Sequence, residues 1–278
     1  MGALDVELKT AEIKRQKQHP TDNLTAYDHF LRGLSAFYEH TAESTCEALR
    51  QFYKVIDLDP TCATAYGYAA TTLIIRRTQG WLSDRDLPEA ANECLRLTGE
   101  AASRGFDDAE ALSLAALVQV CLGFEVAASV ELAERSLVLN PNSAWGWYAA
   151  GLAKISLGDF DGALEFVGRS IRLNPRDPSG YAHHTSYGLA QFLSNNFVEA
   201  IKASEKALVI NSSCLPALRI KAASLAMLNR QTEAKTVLDK VKLLHPEVNA
   251  SIVTKTMIPL RQEDLKFYAD ALRKAGMS

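Results

Sequence analysis

The side chains with the most chemical potential in this chain are the adjacent pair His183-His184 and five cysteines, Cys46, Cys62, Cys94, Cys121 and Cys214. Two imidazoles could share a metal ion. Neighbours on a helix point about 100° apart, however, so a rigid helix does not turn both onto one ion. The pair reads as structural, with His184 at a core-packing position. No two cysteines have metal-ligand spacing, and their odd number leaves at least one without a disulfide partner. They read as small buried residues of a reducing compartment. No Ser or Cys stands in a recognisable nucleophile motif. Gly146-Trp147 and Gly162-Ala163 are packing positions, and no strand leads into a glycine-rich phosphate loop. The expectation is a chain that is not an enzyme and holds no catalytic residue, metal or cofactor.

Composition narrows the partners. The 278 residues are 47% hydrophobic, enough for a continuous core, and the net charge is −3. The longest basic run, Lys14-Arg15-Gln16-Lys17, is too short for a nucleic-acid groove. The N-terminus has no apolar stretch after its charges and is no signal peptide. The uncharged run from Pro178 to Val198 is long enough to span a bilayer, but it carries His183, His184, Gln191, Asn195 and Asn196. A cytoplasmic protein with neither a membrane nor a nucleic-acid partner is expected.

The elements that must position these residues recur along the chain. Segments end alike in IDLDP at Pro60, VLNP at Pro141, RLNP at Pro175, VINS at Ser212 and LLHP at Pro246. The spacing is 34 residues from Pro141 to Pro175, 37 to Ser212 and 34 to Pro246. Inside the clearest unit stand Trp147, Ala150, Gly151, Lys154, Gly158-Asp159-Phe160, Ala163, Val167, Ser170 and Asn174-Pro175. Such a period marks stacked helix pairs that bury their faces only against neighbours. The unit resembles the tetratricopeptide repeat (TPR). The resemblance implies an all-α fold, a right-handed superhelix of about six helix-turn-helix repeats. The expected organisation is an N-terminal helix and linker at 1–20 and a solenoid at 21–246. Its repeats are 24–60, 61–107, 108–141, 142–175, 176–212 and 213–246, followed by a C-terminal capping helix within 247–278.

Three places break the period. The turn through Thr41 and Ser44 is about three residues longer than the template. Gln79-Gly80-Trp81-Leu82-Ser83-Asp84 is inserted before a helix that starts near Pro88, a position where proline is well placed. Trp81 is either an exposed anchor for a partner or a residue folded back over the second repeat, and an insertion this long is expected to cover something. Asp177-Pro178-Ser179 adds three residues before the fifth pair.

Further motifs resemble one bacterial group. They are Pro20-Thr21-Asp22-Asn23-Leu24-Thr25-Ala26-Tyr27-Asp28 with Phe30-Leu31-Arg32-Gly33, the Gly80-Trp81-Leu82-Ser83-Asp84 insertion, and Pro259-Leu260-Arg261 with Ala271-Leu272-Arg273-Lys274-Ala275-Gly276. Together they are similar to the C-terminal TPR region of class III adenylate cyclase-like proteins, often preceded by a TolB-like segment, and of winged-helix regulators. The resemblance implies the sensory or scaffold half of a larger signalling protein, with the catalytic or DNA-binding half elsewhere. The alternatives are the regulatory half of a transcription regulator and a standalone assembly scaffold.

The repeat resemblance also implies which residues face the concave groove. They are Phe30 and Leu34, Gly67 and Thr71, Leu114 and Val118, Tyr148 and Leu152, Thr185 and Leu189, and Arg219 and Ala223. The peptide-binding surface is expected at Phe30, Leu34, Thr71, Leu114, Val118, Tyr148, Leu152, Thr185, Leu189 and Arg219. It is mainly apolar and lacks the Lys and Asn clamp of chaperone-binding relatives. The partner is then a protein or a peptide with hydrophobic anchors, or a second copy of the chain. The competing reading is that neighbouring helices, or the chain's own N-terminal helix, fill the groove.

Overall fold

The computed structural model of the chain describes residues 26–246, 253 and 256–277. The expected N-terminal helix and linker at 1–20 and the motif from Pro20 to Thr25 lie outside the described residues. Thirteen helices account for the regular structure among the described residues. Twelve form six consecutive pairs: α1 (Ala26–Phe37) with α2 (Ala42–Leu58), α3 (Ala63–Thr78) with α4 (Leu87–Arg104), and α5 (Ala109–Leu122) with α6 (Val126–Leu139). Then come α7 (Ala144–Leu157) with α8 (Phe160–Leu173), α9 (Gly180–Leu193) with α10 (Phe197–Ile210), and α11 (Leu215–Met227) with α12 (Gln231–Leu244). The last helix, α13 (Gln262–Ala275), packs mainly on α11.

Side-chain size explains the layering. The first helix of a pair is apolar around most of its circumference and lies between neighbours, as α5 does with Leu112, Leu114, Ala115, Leu117 and Val118 all buried. The second helix buries a narrower stripe, made of small residues in α6 (Ser129, Ala133 and Ser136) and including Phe52 and Val55 in α2. Helix starts are fixed by side chains that accept otherwise unpaired backbone N–H groups. Asp108 accepts from Glu110 and Ala111, Ser143 from Gly146, and Asp159 from Gly162. Gly33 sits where the first pair closes, because a Cβ there would lie 2.6 Å from the Phe52 ring.

The breaks in the period are where distant turns of the stack meet. His40 leaves the first pair in a left-handed conformation, φ 54°, with its ring edge-on to Tyr181. Its Nε2 donates to the Pro178 carbonyl at 2.9 Å, and since a carbonyl only accepts, this nitrogen carries the hydrogen. Asp177 is buried beside them, accepting from Asn174 Nδ2 and from the Ser179 N–H. In the second insertion, Gln79 Oε1 accepts the Leu215 N–H at 3.0 Å, 136 residues away. Gly80 lies against Leu215 and His245, and Trp81 is half-buried against the core, so the insertion folds back. The stack closes on itself along this seam.

The C-terminal segment runs over the inner turns. Gly123 and Gly158 hold left-handed turns at φ 73° and 80°, and a Cβ on Gly123 would stand 2.6 Å from Pro259. Arg261 lies against Gly158 and pairs with Asp264. On α13, Phe267 and Tyr268 pack on Phe192 of α9.

Candidate functional site

The first helices α7 and α9 approach each other far less than α5 and α7 do, and this is where Asp177-Pro178-Ser179 enters the chain. Tyr148 bridges the gap, with its hydroxyl 3.0 Å from Ser186 Oγ and within reach of the Ala182 carbonyl. A cavity of about 120 Å³ remains. α3 supplies Thr71, Ile74, Ile75 and Thr78, α5 supplies Leu117 and Cys121, and α7 supplies Trp145, Tyr148 and Leu152. α9 supplies Tyr181, Thr185 and Leu189, and α11 supplies Arg219 and Ile220. Met257, Ile258 and Tyr268 of the C-terminal segment complete it.

Six of the ten positions expected to face a peptide converge here: Thr71, Tyr148, Leu152, Thr185, Leu189 and Arg219. The other four do not. Leu34, Leu114 and Val118 are wholly buried between helices, and Phe30 is half-buried against Phe52 and Tyr68. The expected open groove is therefore replaced, among the described residues, by an inner cavity lined in part by the chain's own C-terminal segment. The repeat pattern predicts that segment only as an end cap. Its inward path through Met257 and Ile258 has no counterpart in the repeat pattern.

Arg219 is the charge of the site. It is 2% exposed, and burial pushes its guanidinium below its usual range. The Tyr268 phenol lines the same cavity, and burial raises it to about 12. Among the described residues the Arg219 Nε and Nη1 have no acceptor, and Ser179 Oγ on the cavity wall is also without a partner. The remaining polar wall groups are engaged: Thr71 and Thr185 hydroxyls donate to carbonyls one turn back in their own helices.

The histidine pair differs from its sequence reading. His183, not His184, is the core residue, because the template Trp position faces its own pair's second helix rather than the stack. Trp147 shows this, half-buried with Arg169 over its ring at 4.0 Å. His183 stacks on Tyr148 at 4.1 Å and pairs with Ser170 Oγ at 2.8 Å, and burial lowers it to about 3. His184 is half-buried. Among the described residues no three His, Cys, Asp or Glu side chains stand together as metal ligands would. Cys94, Cys121 and Cys214 are buried as expected, with burial raising their thiols, the first two to about 12. Cys46 is exposed, because it faces outward beside Arg76.

No family model matches the chain, and no curated protein matches it. Solved structures do. A thermophilic TPR protein of Thermus thermophilus is 21% identical with a TM-score of 0.51, over 74% of this chain and 100% of that one. The fold is a TPR solenoid. The Cut9–Hcn1 hetero-tetramer of the APC/C shares it at 15% identity and a TM-score of 0.62, over 91% of this chain and 46% of that chain. PilF of Pseudomonas aeruginosa shares it at 13% and 0.51, over 83% and 95%. No helix of the described TPR stack is long and apolar enough to cross a membrane.

Proposed function

We propose that this TPR solenoid is a non-catalytic protein-interaction scaffold. The observation that carries this is a row of exposed aliphatic side chains. They recur at one place in the repeat, the last turn of the second helix. Val138 is 81% exposed, Val209 87% and Leu243 82%, each followed by a further exposed residue, Leu139, Ile210 and Leu244. Equivalent positions of a solenoid lie along one edge, so these side chains mark an apolar rim, and exposed apolar side chains gathered in this way mark protein contacts. The row is interrupted at Arg172, which supplies one charge for orientation.

The finer reading is the C-terminal TPR region of an adenylate cyclase-like signalling protein. It is supported by the order of the motifs Gly80-Trp81-Leu82-Ser83-Asp84 and Pro259-Leu260-Arg261. The test is capture of partners from the source cells by the wild-type chain and by the triple variant V138D/V209D/L243D. The variant keeps its helical signal and loses the proteins that co-purify with wild type. Recovery of the same proteins in the same amounts rules out the rim.

A further inference from the structure

Arg219 lies in the middle of α11 with two nitrogens that find no acceptor among the described residues. The groups acting on its charge are Tyr268 and Cys214, both raised by burial and so neutral at pH 7, and its charge acts in turn on His245. The buried carboxylate on α13, Asp264, is taken by Arg261. A buried guanidinium without a counter-ion is costly, and an anion placed against it offsets the cost. The rest of the cavity argues for a mostly apolar ligand. Leu152, Leu189, Ile220 and Ile258 offer no hydrogen bonds, and the volume of about 120 Å³ approaches that of an engineered cavity known to hold benzene. Inorganic phosphate would turn oxygens toward these side chains. A carboxylate has only two oxygens to satisfy.

We propose that the cavity binds a small monocarboxylate with a compact apolar body, its carboxylate on Arg219 and its body against Leu152, Leu189 and Ile258. The site is independent of the exposed rim that carries the scaffold reading. Its ligand would tie α7, α9 and α11 to the C-terminal segment, since Tyr268 and Ile258 share the cavity with Arg219.

The test is calorimetric titration of the full chain with benzoate and 3-methylbutanoate, beside benzamide, 3-methylbutanamide and inorganic phosphate. At least one carboxylate binds about tenfold or more tighter than its neutral amide, the effect of a charge-assisted hydrogen bond. R219M folds, because an apolar side chain of similar volume suits this environment, and it loses that preference. L189F fills the cavity and weakens carboxylate binding while leaving Arg219 in place. The proposal is overturned if neither carboxylate binds better than its amide, or if phosphate binds as tightly as both. It is also overturned if R219M binds them like wild type. The wild-type titrations decide alone should R219M not fold.

Discussion

The third and fourth helix pairs and the three interruptions of the period do opposite work. Between Asp108 and Pro175 the chain keeps its 34-residue period, caps each first helix with Asp108 or Ser143, and buries side chains against adjacent pairs. The turn at His40, the insertion at Gln79 and the extra Asp177-Pro178-Ser179 make local bonds, as Asp177 does with Asn174 and Ser179, but reach further as well. They join turns of the stack that lie more than 130 residues apart in sequence. Periodicity builds the wall, and departures from it build the closure and the cavity beside it.

The comparison can be broken at the wall. Leu114 is wholly buried, and its side chain lies against Gly67 of the preceding pair. L114A is expected to cost about 2–5 kcal/mol, read as a lower urea midpoint. Charged residues at Tyr148 or Leu152 would also unfold the chain, since both are buried. They are therefore unsuited to testing surface recognition.

The seam is sharpened by acid. His40 is held down to about 4 and His183 to about 3, in both cases chiefly by burial. The folded chain then binds fewer protons than the unfolded one below about pH 6.5, so stability falls as pH drops from there toward 3. Asp177, raised by burial to about 6, acts with the opposite sign: it gains stability as pH falls from about 6 toward 4. H40Q should keep a donor for the Pro178 carbonyl and flatten the acid loss by up to about 3 kcal/mol. Chemical denaturation at a series of pH values checks this, and an unchanged slope would remove His40 from the account.

Q79A is the next smaller effect. It leaves the Leu215 N–H buried without its acceptor, a loss of about 1–3 kcal/mol, measurable as a shift in thermal midpoint. The smallest is the exposed pair Lys202–Glu199 on the outer helix α10, where K202A should leave the midpoint unchanged. A large effect there would mean that the outer face is not free of structural duty.

The wall was legible because a helix pair carries its own signature: Gly33, Gly151 and Ala163 for close approach, and Asn-Pro endings for the exits. Repeat register places Thr71, Tyr148, Leu152, Thr185, Leu189 and Arg219 on first helices, and these six line the cavity. What lines the cavity opposite them was not legible. Tyr268 and Ile258 belong to a segment outside the period, and no local pattern states that it turns inward to meet Arg219. His183 was misassigned because register names the template position but not which neighbouring face meets the next pair. Cys46 was read as buried from helix membership alone, although its side chain points away from the core.

The seam has a consequence for how the molecule comes apart. An open solenoid can fray from either end, losing one repeat while the others stay folded. Here the first two pairs hold the fifth and sixth through His40–Pro178 and Gln79–Leu215. Neither end can leave without releasing the other, so a linear array acquires the cooperative, all-or-none transition of a globular domain.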